Sequence, residues 1–328
     1  MDVDLIRVIL DGLRTAIGPV AAVYALAAIG LNVHYGYTGL LNFGQVGFML
    51  VGAYGMGIAV SIHAMPLSLG IALGMLAAVV LALLLGFPTL RLRADYLAIC
   101  TIAAAEILRF VFRSSPMAET TGGAFGIPSQ FGGSGFTGSF VRANPIPEGS
   151  YGIGPLGFSH TRLWVMLVAW GVVALAALMV WALMRSPWGR VIKSIREDED
   201  AARSLGKNVF AYKMQSLVLG GVFGGLAGIL LVLNQGAMTP DQFLPQITFF
   251  AYTVLLLGGA ATVLGPILGS VLFWFVLQSM DSLLRQTGFG NAAIGAVRLA
   301  LVGLVLILLM AFRPQGIMGN KQEMMLDA

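Results

Sequence analysis

The chain has 328 residues, of which 58% are hydrophobic and only 10% charged, and its mean hydropathy is +0.87. A soluble domain carries about 25% charged residues to cover its surface, so this composition excludes an ordinary water-soluble protein and indicates a surface that faces lipid. The apolar runs are long enough to cross a hydrocarbon core of about 30 Å as helices, and the alternation typical of barrel strands is absent.

The apolar pattern predicts an all-α polytopic membrane protein: a bundle of about nine transmembrane helices, within a range of eight to ten, forming one domain over residues 1–328. Asp4, Arg7, Asp11 and Arg14 fall on one helical stripe, which predicts a short helix lying in the interface before the first span. The alternative is a charged start to that span. Within a few residues, the predicted spans are 15–33, 39–61, 67–87, 94–112, 162–184, 211–234, 246–260, 264–284 and 293–312.

Lysine and arginine set the predicted orientation, because short cytoplasmic loops carry an excess of both. The stretch from Arg185 to Lys213 contains 7 of the 19 basic residues, so we expect it in the cytoplasm. Arg91, Arg93, Arg313 and Lys321 then fall on the same side, together with the C-terminus. The segment 114–161 falls outside, in the periplasm of a cell with an inner membrane. The basic residues flank apolar runs, which indicates contact with membrane lipid and no nucleic-acid partner.

A glycine-rich segment over residues 36–54 predicts a broken or re-entrant helix. It contains several glycines together with the polar residues Asn42 and Gln45. Irregular backbone at membrane depth is tolerated only where it is buried in protein or lines a cavity, so this segment is the first candidate for a translocation path. Because the break changes the count of crossings, the orientation of the N-terminus stays open.

Other glycines predict close helix packing. Gly220, Gly224 and Gly228 recur every four residues and form a small-residue face, of the kind that lets membrane helices approach one another. The run from Gly258-Gly259 to Gly265-Pro266 divides a long apolar stretch into two spans.

The search for catalytic chemistry finds no candidate. His34, His63 and His160 are far apart in the sequence, and Cys100 is the single cysteine, so no metal-ligand or thiolate spacing is present. A phosphate-binding loop with the pattern G-x-x-x-x-G-K-[ST] is also absent. We therefore expect no enzyme activity, no metal and no cofactor in this chain.

Ionisable residues inside predicted spans are site hypotheses by default, because they are costly in lipid. Glu106 and Arg109 lie three residues apart on one helix face. They either neutralise each other or pair with Arg298 to hold helices together, or one of them faces a cavity and touches a charged substrate group. Asp281 and Arg285 lie near the end of the eighth span.

The stretch from Ser186 to Phe210 predicts a short amphipathic helix between two spans. Pro187 suits the first turn of a helix and Gly206 suits its end. Between them, dense charge of both signs surrounds apolar steps at Ile192, Ile195, Ala202 and Leu205. Ala201 and Ala202, followed by the terminal glycine, suit docking into a groove on another protein. The alternative is a solvated loop that only sets topology.

Seven motifs in order resemble one family, the permease subunits of the branched-chain amino acid ABC importers, and specifically the longer of the two paired permeases. The resemblance extends from about residue 20 to residue 319. The motifs that carry it are Gly36–Gln45 (GYTGLLNFGQ), Gly52–Tyr54, Tyr96–Arg109 (YLAICTIAAAEILR), Thr121–Gly123 with Gly126-Ile127, Ser186–Lys213, Gly225–Gly228 (GLAG), and Gly258-Gly259, Gly265-Pro266 and Gly269 with Arg313–Gly316 (RPQG).

The resemblance implies a complex of two permeases, two cytoplasmic ATPases that supply ATP hydrolysis, and a periplasmic amino-acid-binding protein facing the segment 114–161. Residues 186–208 would be the coupling helix, inserted into a cleft of the ATPase. The acidic run Glu197–Asp200 is denser than the family pattern. The residues expected to line the translocation path are Asn42, Gln45, Glu106 and Arg109. Those expected to couple to the ATPase are Arg196, Glu197, Ala201, Ala202, Arg203 and Gly206.

The leading hypothesis is therefore import of leucine, isoleucine and valine. Import of urea or short amides by the same architecture is the nearest alternative. A stand-alone channel or ion-coupled carrier belongs to a different class and predicts ionisable residues clustered along a pore, whereas those of this chain are scattered. An intramembrane enzyme is disfavoured by the missing histidine and carboxylate clusters.

Overall fold

The computed structural model describes residues 4–92, 94–128, 135–153, 156–287, 290–312 and 315–319. Helices dominate this part of the chain, which confirms the all-α polytopic prediction. The helices, in chain order, are α1 (Leu5–Ala16), α2 (Pro19–Leu31, continued by a π-helix over Asn32–Tyr37), α3 (Gln45–Gly57, continued by a π-helix over Ile58–Ile62), α4 (Leu67–Thr89), α5 (Ala94–Arg113), α6 (Ala118–Thr121), α7 (Phe136–Arg142), α8 (His160–Arg185), α9 (Pro187–Glu197), α10 (Glu199–Ser204), α11 (Val209–Gln235), α12 (Gln246–Gly258), α13 (Gly265–Gln286) and α14 (Asn291–Phe312).

Seven helical stretches of the described chain are long and apolar enough to cross a membrane. Two of the nine predicted spans, α5 and α12, do not meet these criteria, so the count of nine is not confirmed. α5 includes Asp95, Glu106, Arg109 and Arg113 among its 20 residues. α12 has only 13 residues, which at 1.5 Å per residue extend about 20 Å, less than the hydrocarbon core.

Short elements connect the long helices. Single 3₁₀ turns lie at Ser115–Met117, Gly123–Phe125 and Pro240–Gln242. Strand β1 (Ile127–Pro128) pairs antiparallel with β4 (Ala237–Met238), with Ile127 opposite Met238. Strands β2 (Ser150–Ile153) and β3 (Leu156–Ser159) form a hairpin in which Ser150 lies opposite Ser159.

Helix α2 lies at the centre of the bundle and is buried along almost its whole length. It packs against α8, α11, α12 and α13. The outer helices bury only one stripe. In α8 the buried residues recur at helical spacing and are Val165, Ala169, Val173, Ala176, Ala177 and Val180. The exposed face of α8 is also apolar, as expected for a helix with lipid on one side.

The glycines of α11 allow close packing on a neighbouring helix, as their spacing predicted, and the structure shows that this neighbour is α3. A Cβ atom at Gly228 would lie 2.0 Å from the carbonyl oxygen of Met49, and one at Gly221 would lie 2.7 Å from the ring of Phe48. Only a residue without a side chain allows the two backbones to lie this close.

The bundle has two distinct ends, which we name by their contents. The near end carries α9 and α10, the turn over residues 259–264, and residues 315–319, whose Met318 amide donates to Gly258 (3.0 Å). The far end carries the elements between α5 and α8, and there the β1–β4 pair joins them to the end of α11. The basic residues Arg93, Arg313 and Lys321, used for orientation, lie outside the described residues.

A separate short helix precedes the first span in the described chain, which favours the predicted short helix over a charged start to that span. α1 runs antiparallel to α13: the Asp4 amide donates to Gln286 (2.9 Å), and the Asp11 carboxylate accepts from Ser282 (2.8 Å). Its apolar residues Leu5 and Ile6 are exposed. α14, the last helix among the described residues, is mostly exposed and is joined to α13 by an ion pair between Arg298 and Asp281.

Candidate functional site

The predicted helix break lies between α2 and α3, at residues 39–44. The second span therefore begins at Gln45, six residues later than the sequence predicted. Gly39 has a φ of +74°, a backbone conformation that residues with a side chain rarely adopt. Along the break, Leu40, Asn42 and Gly44 are buried, whereas Gly39 is exposed and the residues between them are half-exposed. The break thus has one face inside the bundle and one open face.

The buried face of the break is held by a closed network of polar side chains. Asn42 Nδ2 donates to Gln45 Oε1 (3.2 Å) and to His34 Nδ1 (3.0 Å), and its Oδ1 accepts from the Gly44 amide (2.9 Å). His34 Nε2 lies 3.1 Å from the carbonyl oxygen of Leu217. Because Asn42 donates to Nδ1, the ring carries its proton on Nε2 and donates to Leu217.

Gln45 completes this network by donating to the Gly220 carbonyl of α11 (3.1 Å). Gly220 lies 11 residues beyond the start of α11, about 16 Å along its axis, so α3 starts deep inside the bundle. Asn42 and Gln45, predicted as path-lining residues, are fully buried, and their side chains fix the break to its neighbours. Sequence reasoning missed His34, whose only signal was an ionisable residue beside the glycine-rich segment.

The backbone of the break is satisfied by three side chains from other helices. Thr101 on α5 accepts from the Phe43 amide (3.0 Å), Thr248 on α12 accepts from the Val46 amide (3.0 Å), and Tyr252 on α12 donates to the Asn42 carbonyl (3.0 Å). An unpaired backbone group away from water costs several kcal/mol. These contacts are what allows a helix to start at this depth, between α5 and α12.

The open face of the break carries an aromatic cluster. The Phe43 ring lies 5.6 Å from the Phe249 ring and 4.8 Å from the Tyr252 ring, measured between centroids, and Tyr35 meets Tyr252 edge-on at 6.0 Å. Phe43 is half-exposed and Phe249 is 39% exposed. The cluster therefore presents apolar and aromatic surface directly at the helix break.

The predicted pair of Glu106 and Arg109 is part of a larger charged cluster toward the far end of α5. Arg109 binds Glu106 (2.8 Å) and also Asp241 (2.9 Å), which in turn lies 3.3 Å from Arg113. Two carboxylates and two guanidinium groups balance in charge, so the cluster joins α5 to the 3₁₀ turn at Asp241 without leaving a free charge. Asp241 was not predicted, and Arg298 pairs with Asp281 instead of Glu106.

At the near end, residues 186–208 form two helices, α9 and α10, and not the single helix that was predicted. The chain bends at Asp198, whose carboxylate accepts from the amides of Asp200 and Ala201 (both 2.9 Å) and so caps α10. Pro187 starts α9 and Gly206 follows α10 with a φ of +76°, as their residue types indicated.

Two residues of the dense acidic run form ion pairs with basic residues of this chain. Glu199 pairs with Lys213 and with Arg203 (3.0 Å), and Asp200 also pairs with Arg203 (3.0 Å). Both helices are tied together by the buried side chains of Ile195, Ala202 and Val209. Together with the start of α11, the segment therefore forms a compact unit around a small apolar core.

The predicted coupling residues divide between the surface and the interior. Glu197, Ala201 and Gly206 are exposed, as is Arg203 despite its ion pairs, whereas Ala202 is buried. Arg196 is half-exposed, and its guanidinium donates to the carbonyl oxygen of Gly36. Leu205, which the sequence grouped with Ala202, is instead 78% exposed at the tip of the segment.

Among the described residues no group of three or more histidine, cysteine or acidic side chains could hold a metal ion. The polar atoms at the break are paired with one another.

Comparison with known proteins agrees with this architecture. The family model described as the permease component of the branched-chain amino acid transport system matches residues 15–310. The chain is 31% identical to the LivM permease protein of the high-affinity branched-chain amino acid transport system of Salmonella typhimurium, covering 92% of this chain and 69% of that protein.

Two further relatives show the same pattern. A probable branched-chain amino acid transport permease protein LivM from Methanocaldococcus jannaschii is 25% identical, covering 98% of this chain and 95% of the relative. The LivH permease protein of Salmonella typhimurium is 26% identical, covering 91% and 92%. The resemblance to LivM is the one expected for the longer of the paired permeases. The chain is a multi-pass membrane protein and belongs to the family of permease components of branched-chain amino acid transport systems.

Proposed function

We propose that this chain is a permease subunit of an ATP-driven importer that brings leucine, isoleucine and valine across a bacterial inner membrane. The observation that carries the proposal is the family match over residues 15–310, together with relatives whose names all specify branched-chain amino acid transport. The chain itself supplies no ATP hydrolysis; two cytoplasmic ATPase subunits do so.

The path runs along the open face of the helix break, between α5 and α12. Phe43 and Phe249 supply an apolar wall there, which suits aliphatic side chains. Asn42 and Gln45 act on the path by holding the break in place, and Glu106 and Arg109 stand nearer its far end. A second permease subunit closes the other side of the path.

Residues 186–208 couple this chain to an ATPase. Support comes from the compact core of the segment and from the exposed tip formed by Ala201, Leu205 and Gly206. An isolated leucine that is 78% exposed on a charged surface suits burial in a cleft of a partner. Glu197 and Arg203 flank this tip as polar contacts.

The near end faces the cytoplasm and the far end faces the periplasm, where segment 114–161 meets an amino-acid-binding protein. The excess of basic residues between Arg185 and Lys213 supports this orientation. The C-terminus is then cytoplasmic, because residues 315–319 pack at the near end.

Uptake into proteoliposomes tests the proposal. The chain is reconstituted with its neighbouring permease, the ATPases and the binding protein, and labelled leucine and labelled urea are offered in parallel. We expect ATP-dependent leucine uptake that isoleucine and valine compete with. Urea uptake alone would retain the architecture and replace the substrate. Uptake by this chain without the ATPases would favour a channel or ion-coupled carrier.

A further inference from the structure

One charged side chain of α9 points into the membrane bundle. Arg196 donates through Nη1 to the carbonyl oxygen of Gly36, in the π-helical turn at the end of α2. Its aliphatic stem lies beside Gly39, where an added Cβ would be 3.5 Å from Cγ and 4.0 Å from Cβ of Arg196. By contrast, Arg190 on the same helix is exposed.

The irregular backbone at the end of α2 makes this contact possible. The carbonyls of His34 and Tyr35 accept from the amides of Leu40 (2.8 Å) and Gly39 (3.2 Å). The Gly36 carbonyl accepts from Arg196, and a cation at a helix C-terminus is also favoured by the helix dipole. Gly36 has no room for a side chain, since a Cβ there would lie 2.6 Å from the Ala261 amide nitrogen.

The residues that Arg196 touches lead directly into the helix break. Gly39 is the first residue of the break, and Phe43 of the aromatic cluster is four residues further on. Between them, Asn42 is tied to His34 and Gln45 on either side. A movement of Gly36 and Gly39 is therefore transmitted over four residues to the half-exposed Phe43, whose amide donates to Thr101 (3.0 Å).

Arg196 is also held in place on the α9 side of this contact, through its neighbour in the chain. Ile195, next to Arg196, is buried in the small core that it shares with Ala202 and Val209. Movement of the exposed tip at Leu205 thus carries Arg196 with it. Arg196, which the sequence placed among ATPase contacts, also connects the segment to the bundle interior.

We propose that Arg196 is the positioning residue that fastens the coupling segment to the helix break, so that both move as one body when an ATPase acts on α9 and α10. The inference rests on the proposed function.

The first test compares Arg196→Ala with the wild type and with Arg190→Ala as a matched control from the exposed face of the same helix. Proteoliposomes of the whole complex are assayed for ATP hydrolysed and leucine taken up. We expect Arg196→Ala to keep assembly and hydrolysis but to lower the leucine taken up per ATP about tenfold, the scale of one hydrogen bond from a charged donor. Arg196→Lys retains a cationic donor and recovers part of the loss, and Arg190→Ala couples normally.

A disulfide replaces the hydrogen bond in the second test. The 4.0 Å between the two Cβ positions suits a disulfide, so Gly39→Cys and Arg196→Cys are combined in a Cys100→Ser background. Comparing one preparation before and after oxidation removes any effect of the substitutions on folding. We expect the reduced form to be uncoupled and the oxidised form to regain uptake per ATP.

The inference is overturned if Arg196→Ala takes up as much leucine per ATP as the wild type, or if the disulfide does not form. It is also overturned if the oxidised form stays uncoupled or takes up no leucine. In each case wild-type uptake remains, and only the role of Arg196 is lost. Absence of ATP-dependent uptake in the wild-type complex would instead refute the proposed function.

Discussion

Replacing Gly52 by alanine adds one methyl group where three helices meet. A Cβ at Gly52 would lie 2.4 Å from Cα and 2.6 Å from the carbonyl oxygen of Gly225 on α11. Across the other face of α3, the Gly52 carbonyl lies only 2.4 Å from the position that a Cβ would take at Gly74 on α4. α3 therefore cannot move aside freely.

The size of the effect follows from these distances. Ordinary contacts begin near 3.4 Å, so α3 and α11 must separate by about 1 Å along a tightly packed interface. Overpacking of this kind costs about 1–3 kcal/mol, and the upper end applies because both obstacles are backbone atoms. Alanine regains up to about 1 kcal/mol of helix propensity. The net loss is about 2 kcal/mol, a factor of about 30 in the ratio of folded to unfolded protein.

Unfolding in mixed micelles, titrated with SDS and followed by far-UV circular dichroism, measures this loss. Gly171→Ala is the matched control, because Gly171 lies in the exposed face of α8 and nothing stands within 4 Å of its Cβ position. We expect the control to be as stable as the wild type or slightly more stable. Equal stability of Gly52→Ala and Gly171→Ala would refute the close α3–α11 packing.

Three further substitutions test the polar contacts and the exposed tip. Asn42→Ala removes the donor that links His34 and Gln45 and should destabilise the fold by about 1–3 kcal/mol in the same SDS titration, whereas Leu41→Ala on the half-exposed side should have little effect. Arg298→Leu leaves the buried Asp281 carboxylate without its cation and should cost about 3–5 kcal/mol, most of which removal of Asp281 in the same protein should restore; a single mutant as stable as the wild type would contradict the pairing. Leu205→Ser should leave stability unchanged yet weaken co-purification of the ATPases about tenfold or more, since burial of a leucine side chain contributes about 1.5–3 kcal/mol; undiminished co-purification would remove Leu205 from the interface.

Residues 36–54 illustrate how far the sequence could be interpreted. Glycine content together with two polar residues correctly predicted a broken helix. The sequence did not reveal that Asn42 and Gln45 face inward. An amide can line a path or satisfy a buried backbone, and only the positions of α5, α11 and α12 decide between the two.

The segment after Ser186 shows a second limit. Its amphipathic pattern indicated one helix. The sequence did not show that Asp198, within the acidic run, caps the start of α10 and so divides the segment into two helices. Apolar spacing placed Ala202 and Leu205 together, whereas the fold buries the first and exposes the second. Nothing in the sequence indicated that Arg196 contacts Gly36, which lies 160 residues earlier in the chain.

The sequence by itself determined the helical, lipid-facing class of the protein, the positions of its long apolar helices and the small-residue face of α11, because these depend on composition and on spacing within one helix. Only the tertiary structure decided which polar groups meet: His34 with Asn42, Arg109 with Asp241, and Arg196 with Gly36. Each of these contacts joins residues from different segments of the chain, and their distances depend on how the helices pack around α2.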